Sequence, residues 1–282
     1  MDNKFLVFQS DFGSKGASVS QMYGISFQVD PSLRIYEITH DIPQFDTWKG
    51  SYSLYQSCYA WPKGTVFVSI IDPGFGKNRR RVVAKTKKGH YIVTPDNGSL
   101  SHINKYVGIE ELREIDETVN RLKGSEESNL FLGRDVFAYT GARHASGIIP
   151  FEEVGEKVDL KTISSFELSD PRIIGSEVIG SIDIIDGNFG MLWSNIPVTY
   201  LDKLNVKCGD YLDVIIYYKR RQMYKYRVLY GKSFTNVEKG EDLIYKNAIG
   251  NVAIGTSLEN FAEKYNLKAG IGWSISIITN NK

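Results

Sequence analysis

Phe5-Leu6-Val7-Phe8-Gln9, followed by Ser10-Asp11-Phe12-Gly13, decides the architecture: an apolar run of strand length stops at an acidic, glycine-bearing loop and gives way to a helix-length segment from Ala17 to Val29. The pattern then repeats. Arg34 to Ile38 reads as a second strand, leading through Thr39-His40-Asp41-Ile42-Pro43 to a helix from Thr47 to Ala60. Thr65 to Ile71 reads as a third, leading into Asp72-Pro73-Gly74-Phe75-Gly76. Apolar strands separated by helix-length stretches predict parallel βαβ crossovers, whose ligands bind outside the carboxyl ends of the strands. Further strands are expected at Arg81 to Thr86 and His90 to Thr94, a helix at Asp135 to Gly147, and an exposed loop over Lys123 to Ser128.

After about Pro171 the texture changes. Short β-branched and aromatic runs recur at Glu177 to Ile185, Tyr211 to Tyr218, Met223 to Tyr230 and Trp273 to Thr279, with turn residues between them. The expected fold class is therefore α/β: an N-terminal α/β domain with a mainly parallel sheet over residues 1–170, and a C-terminal antiparallel, β-barrel-like domain over residues 171–282. A chain of 282 residues is long enough for two such domains.

With 34 basic against 33 acidic side chains, the net charge is +1, which offers no field for nucleic acid and favours a small-molecule partner. Cys58 and Cys208 fit neither a zinc pattern nor a disulfide framework. His40, His90, His102 and His144 have no metal-ligand spacing among them, so no metal is expected. The first residues hold too short an apolar run for a signal peptide, and no segment approaches ~20 apolar residues, so a cytoplasmic protein without membrane contact is expected.

Several loops carry candidate chemistry. Asp11, at a strand end before glycine, suits a ribose diol, although a turn or N-cap aspartate uses the same letters. Asp72 sits at the next such position, and Arg79 can fold back to pair with it and orient a water; a solvated turn is the commoner meaning of such residues. Gly133-Arg134-Asp135 opens a helix, where Asp135 suits the first turn and its dipole. Arg79-Arg80-Arg81 reads as a solvated turn.

The ordered set Ser10-Asp11-Phe12-Gly13, Ser18-Val19-Ser20-Gln21, Ile38-Thr39-His40-Asp41-Ile42-Pro43, Ile71-Asp72-Pro73-Gly74-Phe75-Gly76, Pro95-Asp96-Asn97-Gly98, Gly133-Arg134-Asp135 and Asp186-Gly187-Asn188-Phe189-Gly190 resembles the S-adenosylmethionine hydroxide adenosyltransferase family, which includes fluorinases and chlorinases. The resemblance implies a homotrimer with S-adenosyl-L-methionine or adenosine between one subunit's N-terminal domain and its neighbour's C-terminal domain. It also implies hydrolysis at ribose C5′ to adenosine and L-methionine, with S-adenosylmethionine as substrate and no further cofactor.

Carried over by position, Asp11 holds the ribose hydroxyls, Phe45 lies against the ribose and Ser18 contacts the methionine end. Asp186 grips the methionine amino acid, and Phe189 walls the adenine. Phe75, Gly133, Met191 and Trp193 complete the substrate-binding set, while Asp72 and Arg79 position and activate the attacking water. A carboxylate at Asp72 argues against halide use, because it would repel the anion.

The chain also departs from the family's pattern. Leu132 stands where the family's hydrolases carry a histidine, Met191 where an amide faces adenine, and Leu258 where a basic residue is common. Asn247-Ala248-Ile249-Gly250-Asn251 lacks the serine or arginine expected near the methionine carboxylate. His144 is read as a core or surface histidine rather than a replacement. These departures favour, as the alternative to hydrolysis, a non-catalytic or substrate-shifted adenosyl-binding protein.

Overall fold

The computed structural model describes residues 4–72 and 79–279, and for Asn188 the backbone alone. The chain divides into two compact units, Met1–Leu168 and Ser169–Lys282.

In the first unit β1 (Phe5–Ser10), α1 (Ser18–Val29), β2 (Arg34–Thr39), α2 (Thr47–Cys58) and β3 (Val66–Ile70) alternate as expected. Helix α2 starts where Asp46 accepts a hydrogen bond from the Lys49 amide at 2.9 Å, a side-chain N-cap. Then come β4 (Arg81–Thr86), β5 (Tyr91–Pro95), α3 (Ser101–Tyr106), β6 (Ile109–Glu114), a π-helical segment Gly133–Ala138 running into α4 (Tyr139–Ala145), and β7 (Lys157–Val158). The sheet order is β2-β1-β3-β5-β4-β6-β7. Strands β2, β1, β3, β5 and β6 run one way, and β4 and β7 the other. The sheet is thus mainly parallel.

After β1 the chain crosses to one side of it, and β3 returns on the other. The gap outside the carboxyl ends of β1 and β3 is therefore a topological switch point. Ser10 and Ile70 are register partners, so the residues after them, Asp11 and Ile71-Asp72, emerge side by side. Helix α4 lies close over this part of the sheet, since a Cβ on Gly141 would come within 2.6 Å of Val68. Leu6, Phe8, Val68, Val93, Val136 and Ala142 pack together in the core beneath it.

The second unit holds β8 (Arg172–Ile174), β9 (Glu177–Asp186), β10 (Met191–Pro197), α5 (Thr199–Lys203), β11 (Tyr211–Tyr218), β12 (Arg221–Tyr230), β13 (Asp242–Lys246), β14 (Asn251–Thr256), α6 (Phe261–Lys264) and β15 (Trp273–Ile278). Strand β9 pairs with both β15 and β10, which closes seven strands into a barrel and leaves β8 on its outside. Every barrel pair is antiparallel except β12 with β13, where Leu229 and Tyr230 run parallel to Leu243 and Ile244. Between those strands the chain makes a crossing of eleven residues rather than a hairpin, which is what a parallel pair requires.

Candidate active site

At the carboxyl end of β1, the Asp11 carboxylate accepts a hydrogen bond from the Phe45 amide at 2.8 Å. Phe45 holds φ at +66°, a left-handed conformation costly for an aromatic residue, so Asp11 stabilises an unusual turn 34 positions away in sequence. Burial pushes the Asp11 carboxyl above its ordinary value, the Phe45 amide works against that shift, and the charge of Asp72 adds to it. The two carboxylates therefore feel each other across the switch point.

A chain of polar groups braces the loop. Ser10 Oγ and His40 Nδ1 share a 2.7 Å hydrogen bond, His40 Nε2 meets the Tyr23 hydroxyl at 3.0 Å, and that hydroxyl donates to Glu37 at 3.0 Å. Because the tyrosine proton goes to Glu37, its oxygen must accept from Nε2–H, leaving Nδ1 to accept from Ser10. Burial holds the His40 imidazole below its ordinary pKa, against the opposing pull of Glu37 and Asp41, which favours this neutral tautomer. The His40 carbonyl also takes the Gly13 amide at 2.8 Å.

Asp72 and Arg79 meet as the sequence suggests: Arg79 Nη1 donates to Asp72 Oδ1 at 2.5 Å. Asn97 donates to the Ile71 carbonyl at 2.7 Å and fixes the backbone just before Asp72. Phe75 belongs to residues 73–78 and lies outside the described residues. The neighbouring arginines are anchored rather than simply solvated: Arg80 pairs with buried Asp96 at 2.5 Å and Arg81 with Glu117 at 2.5 Å.

Ser18 is the first residue of α1 and half-buried, so its amide is one of those a helix N-terminus leaves open to an anion. Gly133 lies buried against Phe12, whose ring stands 3.0 Å from where a Cβ would be. Asp135 lies in the first turn of the π-helical segment, as expected, and its carboxylate accepts from Arg134 at 2.7 Å. Leu132 is 4% exposed and part of the core. His144 packs edge-on to Tyr91 with ring centroids 4.3 Å apart. Tyr91 pairs with Val66, the first residue of β3, so His144 sits at the opposite end of the sheet, about 20 Å of strand from Asp72.

In the second unit, Asp186 ends β9 and faces Met191 across the β9–β10 pair. Its carboxyl is half-buried and pushed up by that burial. Leu192 belongs to the barrel core, so the alternation of a strand turns Met191 and Trp193 to the outer face. Trp193 and Tyr245 both oppose Ala253 and share that face. The Tyr245 hydroxyl donates to the Met191 sulfur at 2.8 Å, and burial raises its pKa to about 12. Trp193 is 6% exposed, whereas Phe189, on the turn between β9 and β10, is 68% exposed.

Phe189, Met191, Phe234, Thr256, Leu258, Glu259 and Asn260 line a groove of about 490 Å³. Tyr245 and Asn260 escaped the sequence reading. Asn260-Phe261-Ala262-Glu263 carries a helix-start signature, which announces a cap but no site, and nothing around Tyr245 marks it.

Residues 6–155 match the family model described as SAM hydroxide adenosyltransferase N-terminal domain, and residues 180–274 match its C-terminal counterpart. The chain is similar to a fluorinase of Nocardia brasiliensis, 27% identical over 296 aligned positions that cover 96% of each chain. It is also similar to an (R)-S-adenosyl-L-methionine hydrolase of Methanocaldococcus jannaschii, 35% identical over 141 positions, 49% of this chain and 51% of that one. Among solved structures, an uncharacterized conserved protein from Thermotoga maritima superposes with a TM-score of 0.88 at 30% identity, covering 97% of this chain and 100% of the other.

Proposed function

Because the chain belongs to the SAM hydroxide adenosyltransferase family, we propose that it hydrolyses S-adenosyl-L-methionine at ribose C5′, releasing adenosine and L-methionine. The observation that carries this reading is the 2.5 Å contact of Arg79 with Asp72, set beside Asp11 where β1 and β3 end. A water held by Asp72 attacks C5′ in line with the C–S bond. The new C–O bond forms as the C–S pair withdraws onto sulfur, and the water's proton passes to the carboxylate. A sulfonium is already an activated leaving group, so orientation of a desolvated water does most of the catalytic work. Arg79 keeps the carboxylate in place.

Asp11 takes the ribose hydroxyls through the oxygen not used by Phe45, and Phe45 covers the ribose. The amides at Ser18 take the methionine carboxylate, Asp186 takes its ammonium group, and the groove between Phe189 and Met191 takes adenine. The homotrimer is part of this proposal, as is a cytoplasmic location; no helix among the described residues is long and apolar enough to cross a membrane. Halide transfer, suggested by the fluorinase relatives, is disfavoured by the carboxylate of Asp72.

Chromatography of the purified protein incubated with S-adenosylmethionine tests the reading. Adenosine and methionine should appear in equal amounts, and Asp72→Ala should slow their release by about 10²–10⁴-fold, the range of a positioned general base. Intact ligand that nonetheless raises the melting temperature would instead favour an adenosyl-binding relative without turnover, the outcome that Leu132 in place of a histidine makes worth distinguishing.

A further inference from the structure

We infer that Asn260 is the side chain through which this protein reads the nucleobase, donating a hydrogen bond from Nδ2 to a ring nitrogen of adenine. The inference rests on the adenosyl reading above and concerns a residue chosen by this chain's own geometry. Adenine presents three ring acceptors, N1, N3 and N7, and one exocyclic amine. A groove that selects it needs at least one donor.

The other polar groups along the groove are spent or of the wrong kind. Met191 has no N–H, and its sulfur already accepts from Tyr245 at 2.8 Å. The Thr256 hydroxyl gives its proton to Asp242 at 2.6 Å, which leaves only acceptor capacity. Glu259 is a carboxylate 3.6 Å from Lys264 and can only accept. Among the described groove residues, Asn260 supplies the side-chain N–H.

Its amide is also oriented. Asn260 is the N-cap of α6, and its Oδ1 accepts the Glu263 amide at 3.0 Å, so Nδ2 is the end left over. The amide sits directly over Gly190, where an added Cβ would meet Oδ1 at 1.7 Å and Nδ2 at 2.9 Å. The Ala262 amide donates to the Gly190 carbonyl at 3.0 Å and ties α6 to the turn that carries Phe189. The donor is thus fixed beside Met191, the position at which an amide is missing.

Calorimetric titration of adenosine and its 1-, 3- and 7-deaza analogues into the wild type and Asn260→Asp tests this. Aspartate keeps the cap but exchanges both N–H donors for a carboxylate oxygen. In the wild type one deaza analogue should bind about 5- to 10-fold more weakly than adenosine, the effect of one hydrogen bond. In Asn260→Asp, adenosine should weaken by a similar factor and the penalty for that analogue should vanish. Asn260→Ser, a capping residue too short to reach the base, should behave alike.

Undiminished adenosine affinity in both variants, or a deaza penalty that persists in them, would overturn the assignment while leaving the adenosyl reading intact. Failure of the wild type to bind adenosine or S-adenosylmethionine at all would overturn both.

Discussion

Asp11 carries a charge that its surroundings disfavour. Its carboxyl is pushed up mainly by burial, so the native protein holds that proton to a higher pH than the unfolded chain does. Stability therefore falls as pH rises from the ordinary aspartate value through the raised one, and at neutral pH the ligand-free site bears this cost in full. Asp11→Asn keeps an oxygen for the Phe45 amide but removes the charge. It should raise the melting temperature of the ligand-free protein at pH 7 while weakening adenosine binding about tenfold or more, as loss of a charged acceptor for two hydroxyls requires. Scanning fluorimetry and calorimetry on one sample read both effects. The placement of Asp11 and Asp72 at strand ends was legible in sequence because strand-end carboxylates before glycines are local signals, and Arg79 lies close enough along the chain for its contact with Asp72 to be anticipated. The left-handed Phe45 and its bond to Asp11 were not, since 34 residues separate the partners and the turn type follows from that contact rather than preceding it.

Among the elements, the turn joining β9 to β10 is tightly constrained. Gly190 adopts φ +64° and leaves its Cβ space to Asn260. Gly190→Ala should cost roughly 1–3 kcal/mol for the backbone strain and displaced cap together, read as a lower urea midpoint at unchanged slope. The strands that pattern reading found, such as β4 and β11, are apolar or alternate cleanly. It passed over β6, whose Ile-Glu-Glu-Leu-Arg-Glu sequence buries Ile109 and Leu112 at a helix-like spacing, and also β10 and the shorter β7, β8, β13 and β14. These strands are set by their neighbours in the sheet more than by their own residues. The helix expected from Asp135 begins two residues earlier as a π-helical segment. Such widened turns are frequent at functional sites, and this one starts at Gly133, in the expected substrate-binding set.

For the whole molecule, composition and the change of texture after Pro171 were enough to anticipate an α/β unit and a barrel, because each has its own hydrophobic period. Assembly is not written in any such period. On the barrel unit, Phe189 and Leu258 line one groove and are 68% and 83% exposed, apolar surface that a separate chain leaves in water. If the proposed homotrimer forms, light scattering coupled to size exclusion should give three times the 31.8 kDa chain mass, and a monomer at micromolar concentration would remove the trimer from the proposal. The closure of the barrel through β9 has a separate consequence for hydrogen exchange. No strand of the closed ring offers a free ladder from which amides can be stripped one after another, so their protons should trade with solvent together, at the rate of global opening. The short β8 outside the ring, and the edge strand β2 in the other unit, have no such protection and should exchange first.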